Sequence, residues 1–591
     1  MYASGLAQSK TIYVLMRSAK QYREKVCRVI EMPTPAEIEN LIKPLYPPWV
    51  PRTIEIPNIR LDQFLTDAAR KRPDVVATSY FGFDLTYKQL DEIANRIANV
   101  LIKLGIKKGD TVASHFTNTP TFVATYYGVL RAGAVNTLIS PLFKGMEIKY
   151  QLNDSDAKAY INWEGFDQVA EPILGQTGVK IRIKSSMAPW ISPNPLEGDL
   201  LDPENKVLWL EDLIRTVPAT QPAMTINPKE DLACLQYTGG TTGLPRAAML
   251  THFNLVANVH QLKVWAGDAF EDGKEVMLTA LPLYHIYAQT VCMNWGIILG
   301  AKQVFVSNPR EVEELIEAIE HHKVTIFPGV SALYNLINNY KGIEQHDLKS
   351  IKFCLSGAGP LPIEIQSKFE KLTGAKLREG YGLTEASPVT HANRTDISWP
   401  GFIGLPLANT QIRIINPVDQ RSDLPIGQVG ELCIAGPQVM KGYYKRPDET
   451  RNSLVDINRD GIKWLFTGDL AELDTRGLTR IRDRAKNMIK VKGHSVFPAE
   501  VEDYFFQNPD ILDVAIVGVK EEDGGEKVMA FIVLKPDAKG KVKNQDIINW
   551  AKTNMAGFKV PKMITFLDEI PKGTAGKTLH RILREGKTEL D

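Results

Sequence analysis

Tyr237-Thr-Gly-Gly-Thr-Thr-Gly-Leu-Pro-Arg246 holds three glycines and three threonines and follows the apolar run Leu232-Ala-Cys-Leu235, which reads as a strand. Glycines let backbone N–H groups approach an anion, and hydroxyls and a guanidinium add donors, so the stretch has the chemistry of a phosphate-binding loop. It is not a Walker loop, because no Gly-Lys-Ser/Thr stands at the required spacing. Composition alone divides evenly between a phosphate cradle and a flexible Gly/Thr turn.

Outward from this stretch the chain alternates strand and helix. Leu61, Phe64, Leu65 and Ala68 predict a helix over 61–72, and Leu90, Ile93, Ile97, Val100 and Leu101 another over 86–104. The second ends at Gly105, and a strand is expected over 111–116. Alternation to about residue 170 implies a parallel sheet with helices on both faces. Residues 184–230 carry Pro189, Pro193, Pro195, Pro203, Pro218, Pro222 and Pro228 and read as a long irregular connection. The rhythm then resumes to about 390, and short β segments with tight turns over 411–434 suggest a small β unit on the α/β core. After Arg484 the pattern becomes helix (498–507), strand (514–519), strand (528–534), helix (544–555) and strand (563–566), a small α+β domain.

The fold class is therefore α/β: a large N-terminal domain of stacked α/β sheets plus a small β unit, and an α+β C-terminal domain. Expected boundaries are an N-terminal extension at 1–55, Pro-rich from Pro44 to Pro51, a large domain at 56–485 and a small one at 486–591. With 591 residues the chain exceeds one simple core. Its 70 basic and 69 acidic residues nearly balance, against a nucleic-acid partner held by bulk charge. Five dispersed cysteines, with no C-x-x-C pair, read as reduced and buried thiols of a cytosolic protein. The ten histidines show no metal-ligand spacing, and His321-His322 reads as a surface or helix-end pair. The uncharged run 276–301 contains Pro282, His285, Gln289 and Asn294 and reads as a buried core element, not a membrane span. The first 23 residues are basic and acid-poor but lack the apolar core and cleavage site of a secretion signal, and a start at Met16 fits equally well.

Further stretches carry chemistry. Ser356-Gly-Ala-Gly-Pro-Leu361 follows a strand and precedes a helix, where backbone can face a planar base, although Pro362 spoils a dinucleotide fingerprint. Glu379-Gly-Tyr-Gly-Leu-Thr-Glu385 offers a hydroxyl and a carboxylate suited to a phosphate oxygen and Mg²⁺; alone, its Thr-Glu would be a helix cap. Phe466-Thr-Gly-Asp-Leu470 places a carboxylate after a strand, able to accept from two ribose hydroxyls or to serve a β-turn. Asp483-Arg-Ala-Lys486 and Pro571-Lys-Gly-Thr-Ala-Gly-Lys577 add cations, a solvated face by themselves and more suggestive inside a Gly-rich loop.

In order and type these stretches resemble the adenylate-forming superfamily of acyl-CoA synthetases, luciferases and peptide-synthetase adenylation domains, over about residues 60 to 585. With Leu281-Pro-Leu-Tyr-His-Ile286 and Gly436-Pro-Gln-Val-Met-Lys-Gly-Tyr443, the chain looks most like long-chain fatty acyl-CoA synthetases. The resemblance implies that Thr238, Gly239, Gly240, Thr241, Thr242 and Gly243 bind the β/γ-phosphates of ATP with Arg246 beside them. It implies that Gly357, Ala358 and Gly359, with Glu379, Gly380 and Tyr381, cradle adenine. Thr384 would touch the α-phosphate, Glu385 would hold Mg²⁺, and Asp469 and Arg484 would grip ribose. Lys577 would bridge the acid and the α-phosphate, and His285 would border the acyl channel, with residues 329–333 as further wall. Rotation of the small domain about Lys486 would then bring Lys490, Lys492 and Gly493 to the pantetheine path of CoA.

The function implied is activation of a medium- to long-chain fatty acid as acyl-AMP and its transfer to CoA. Ligation of an aryl or other acid, or fatty-acid uptake and binding at a membrane surface, are the alternatives. Fatty acid, ATP and CoA are the expected partners, with no nucleic acid; the location is cytoplasmic, with peripheral contact at the inner face of a membrane and a homodimer left open. One position departs from the superfamily: its loop usually ends Pro-Lys, here Pro245-Arg246. Arginine keeps the charge but replaces a mobile point donor with a planar fork.

Overall fold

A computed structural model describes residues 33–192, 194–197, 199–202, 204, 206–238, 244–484, 487–491, 494–520, 526–573 and 578–586. The basic first 23 residues and Cys27 lie outside them.

Two α/β sheets stand where the alternating pattern predicts them. One has six strands in the order Ile181–Ser185, Ala157–Trp163, Thr111–His115, Val135–Leu138, Leu232–Thr238 and Arg246–Thr251. Its first five run parallel, and the last closes an antiparallel hairpin in which Thr238 faces Arg246. The ends of the glycine-threonine stretch, Thr238 and Arg246, thus pair across two strands, and Arg246 opens a strand, not the helix that follows a Walker loop. The second sheet has nine strands, parallel from Lys376–Gly382 through Phe353–Ser356, Ile326–Gly329, Val276–Thr279 and Lys302–Phe305 to Val76–Tyr80, with antiparallel strands at both edges.

Helical spacing translates directly into buried faces. In Tyr87–Lys103 the predicted Leu90, Ile93, Ile97, Val100 and Leu101 are all buried. Thr86 caps the helix: its hydroxyl accepts from Gln89 N at 3.2 Å while the Gln89 side chain accepts from Thr86 N at 2.9 Å. Such a cap contributes about 1 kcal/mol. The neighbouring helix Pro120–Arg131 approaches so closely that a Cβ on Gly128 would lie 2.5 Å from the Ile97 side chain.

The uncharged run forms strand Val276–Thr279, a π-helical turn Ala288–Asn294 and helix Trp295–Leu299, almost wholly buried. No described helix is long and apolar enough to cross a membrane. His321-His322 ends the helix Val312–His322, and Cys234, Cys292, Cys354 and Cys433 are buried free thiols. The proline-rich connection is more ordered than its composition implies. It contains helix Leu210–Arg215, whose buried Glu211 accepts from Ser185 Oγ at 2.6 Å and Trp190 Nε1 at 2.7 Å. Residues from 33 onward lie over the main body: Ile38 and Ile42 of helix Pro35–Ile42 enter its core, and Tyr46 Oη donates to Pro406 O at 2.6 Å.

A five-stranded antiparallel sheet, including Gln411–Ile415, Gly430–Ala435, Trp464–Leu473 and Thr479–Arg484, is the expected small β unit. Beyond it, helix Pro498–Phe505, strands Ile511–Lys520, Glu526–Leu534 and Met563–Phe566, and helix Asn544–Asn554 enclose a separate core of Val501, Phe505, Ile516, Ile532 and Ile547. This smaller unit meets the larger one through Asn335, whose Nδ2 donates to Leu512 O at 3.2 Å, and through Ala499 N, which donates to Asp483 Oδ2 at 3.4 Å.

Candidate active site

A cavity of about 1210 Å³ lies where the sheets and the smaller unit come together. Its wall brings in Thr238 and Arg246 from the hairpin, His285 from the loop after Val276–Thr279, and Gly357 and Ala358 from the end of Phe353–Ser356. Gly380, Tyr381, Thr384 and Glu385 join from the end of Lys376–Gly382, and Arg484 from the small β unit. Sequence segments more than 200 residues apart thus share one concavity, as loops at strand ends do in α/β folds.

Thr384 and Glu385 open a short 3₁₀ turn after Leu383. Glu385 is held twice from one segment: its carbonyl accepts from Met440 N at 2.8 Å, and its Oε1 accepts from Tyr443 Oη at 2.6 Å. Burial and this carboxylate push the Tyr443 phenol upward from its ordinary value, so it stays protonated and donates. The Arg246 guanidinium stacks 4.1 Å from the Tyr443 ring centroid, and its Nη1 lies 3.1 Å from Glu449 Oε2.

Asp469 and Arg484 are cross-strand partners, with Arg484 Nε 3.1 Å from Asp469 Oδ1. Tyr381 Oη donates to Asp469 Oδ2 at 2.6 Å, and burial with that carboxylate raises the phenol well above its usual range. Asp469 is only 6% exposed and stands behind Tyr381 and Arg484, which line the cavity themselves. Gly359 and Glu379 also lie off the cavity wall. Glu379 is half-buried, and loss of solvation, with Asp503 nearby, pushes its carboxyl up to about 8.

Near His285, Tyr287 Oη donates to Leu355 O at 2.6 Å, and its ring packs so close to Gly357 that a Cβ there would lie 3.1 Å away. Residues 329–333 do not line this cavity; Tyr287, which does, donates from its hydroxyl to Gly329 O at 3.3 Å.

Comparison with known proteins identifies the family. Residues 65–444 match the AMP-binding enzyme family, and residues 500–577 match the AMP-binding enzyme C-terminal domain. The chain belongs to the AMP-binding enzyme family. It is 37% identical over 559 residues to a long-chain-fatty-acid--CoA ligase of Bacillus subtilis (strain 168), covering 92% of this chain and 97% of that one. Among solved structures it resembles an anthranilate CoA ligase in complex with anthranoyl-AMP, at TM-score 0.81 and 25% identity, covering 90% and 98% of the two chains. A long-chain-fatty-acid-CoA ligase of Archaeoglobus fulgidus matches at TM-score 0.65 and 26% identity, covering 88% and 99%.

Gly239, Gly240, Thr241, Thr242, Gly243, Lys486, Lys492, Gly493 and Lys577 lie outside the described residues. Lys490 belongs to strand Ile489–Val491. Gly573 and Leu579, on either side of residue 577 in the chain, line the cavity, as does Arg581. Glu385 fits a Mg²⁺ ligand: its carboxylate is on the cavity wall beside Thr384 and is held in place by Tyr443. Among the described residues no three acidic, histidine or cysteine side chains cluster as a metal site. One carboxylate completed by substrate phosphates is the usual mode for this ion. Sequence reasoning gave no role to Tyr443, Tyr287 or Arg581. For Tyr443 the available signal was its place at the end of a glycine-containing motif.

Proposed function

We propose that this family member is an ATP-dependent fatty acid–CoA ligase. Support comes from the convergence of Thr238, Thr384, Glu385, Tyr381 and Arg484 on a cavity whose wall also includes Gly573 and Leu579 of the smaller unit. Relatives that align across nearly their full length are long-chain-fatty-acid--CoA ligases. In the first reaction a carboxylate oxygen bonds to the α-phosphorus of ATP, the bond to the β-phosphate bridging oxygen breaks, and pyrophosphate leaves. In the second the CoA sulfur bonds to the acyl carbon, AMP leaves with the electron pair of the anhydride bond, and the thiol proton passes to solvent.

Thr384 donates to an α-phosphate oxygen, and residues 238–243 present backbone donors to the β/γ-phosphates. Glu385 would hold Mg²⁺, which would supply charge neutralisation for the departing pyrophosphate. Asp469 and Arg484 fix the ribose side, residues 357–359 and 379–381 face the base, and His285 and Tyr287 border the acid. Lys577 bridges the acid and α-phosphate in the first reaction. The smaller unit, residues 486–591, then turns about Lys486 to remove Lys577 and admit the pantetheine arm past Lys490, Lys492 and Gly493. Because long-chain acids reside in bilayers, this reading includes a cytoplasmic enzyme in peripheral contact with the membrane, testable by vesicle flotation. Its assembly as a monomer or homodimer is read by light scattering.

AMP release from ATP across acids of graded chain length, with and without CoA, tests the assignment. Fatty acids of medium to long chain should give AMP and, with CoA, thioester; turnover of aromatic acids alone would replace the substrate class. Lys577→Ala should lose acyl-AMP formation yet still make thioester from supplied acyl-AMP, and loss of both half-reactions would remove the rotating-domain mechanism.

A further inference from the structure

Arg246 stands where the superfamily usually has lysine, and the structure gives its guanidinium an occupation lysine could not take over. Its planar face lies 4.1 Å from the centroid of the Tyr443 ring, and one edge meets Glu449 Oε2 at 3.1 Å. An ammonium has neither a plane to stack nor a fork whose second face stays on the ring while one edge pairs with a carboxylate. Tyr443 is only 3% exposed, bridges to Ala248 of the hairpin, and donates its backbone N–H to Thr450 Oγ1 at 2.9 Å. Its hydroxyl donates to Glu385 Oε1 at 2.6 Å, with the Ser453 side chain as a further hydrogen-bond partner. Glu449, on helix Pro447–Ser453, therefore anchors a line of contacts that runs through Arg246 and Tyr443 to Glu385.

We propose that Arg246 is a positioning residue for Glu385, acting through the stacked Tyr443 ring and tethered by Glu449, and that this duty replaces direct contact with the pyrophosphate. The inference rests on Glu385 being the Mg²⁺ ligand of the reading above. A carboxylate whose second partner is ordered presents its remaining lone pairs to the ion in one orientation, and disordering that partner weakens metal affinity.

The test measures Mn²⁺ affinity by electron paramagnetic resonance titration of the full chain with α,β-methylene ATP, and pyrophosphate inhibition of AMP release alongside. Tyr443→Phe and Arg246→Lys should each weaken Mn²⁺ binding by about tenfold. Glu449→Gln, a change at a half-exposed side chain that leaves the fold in place, should weaken it by about threefold. Combining Arg246→Lys with Tyr443→Phe should cost no more than Tyr443→Phe alone, because both act on one carboxylate. Unchanged Mn²⁺ affinity in both Arg246→Lys and Glu449→Gln, with altered pyrophosphate inhibition only, would show direct phosphate contact and overturn the proposal. Additive losses in the double variant would overturn it as well. Failure of the ligase reading looks different: the unaltered chain would bind Mn²⁺ with the analogue normally yet release no AMP with any acid. Absence of Mn²⁺ binding in the unaltered chain overturns both.

Discussion

Two sets made of an arginine, a tyrosine and a carboxylate border the same cavity, and they are connected differently. In Arg484, Asp469 and Tyr381 both partners meet the carboxylate directly, one on each oxygen, at 3.1 and 2.6 Å. In Arg246, Tyr443 and Glu385 the tyrosine stands between, stacked by the arginine and bonded to the carboxylate. A carboxylate with each oxygen engaged and 6% exposure is part of the protein's internal bonding, whereas Glu385, bonded through Oε1, lines the cavity. Similar residues therefore make a closed frame in one place and a line of contacts ending at the cavity wall in the other.

The sharpest way to break this contrast is Asp469→Ala. It leaves a cation and a phenol without their shared acceptor, so it should cost about 3 kcal/mol of stability and raise the KM for ATP by roughly 100-fold or more. Denaturant unfolding read with ATP kinetics checks both, and a loss of ATP affinity at unchanged stability would mean that the Arg484 set is no frame. Tyr381→Phe removes one of its two bonds. A loss of about 1 kcal/mol is expected there, together with a several-fold rise in the KM for ATP.

The smallest effect concerns pH and belongs to the strand that carries Tyr381. Glu379 has a folded pKa of about 8 against an ordinary 4.5, so the folded state holds a proton that the unfolded chain has released. Stability consequently falls as pH rises from about 4.5 towards 8. Glu379→Gln imitates the protonated form and should flatten that slope, so the variant gains stability relative to wild type on going from pH 5 to pH 8. Equal slopes in thermal melts at the two pH values would remove this account of Glu379.

Legibility followed distance along the chain. Helix Tyr87–Lys103 and the helices and strands after residue 498 could be read because burial periodicity and capping act between near neighbours. Residues chosen for their chemistry at strand ends, Thr238, His285, Thr384, Glu385 and Arg484, share one wall because parallel strands bring their ends together. Residues 329–333, expected at the acyl channel, are not on that wall, and Gly329 O accepts from Tyr287, which is. The short helix in 184–230 was hidden by prolines around it, its anchor being a buried carboxylate that sequence treats as polar surface.

By itself the sequence determined the α/β alternation, the small β unit and the separate C-terminal unit. Only the tertiary structure decided where Arg246 points. Glu449 lies 203 residues away from it, Tyr443 is 58 from Glu385, and Asp469 is 88 from Tyr381. A long charged side chain is directed by the partners that folding brings to it, and those partners leave no periodic mark near the residue they hold.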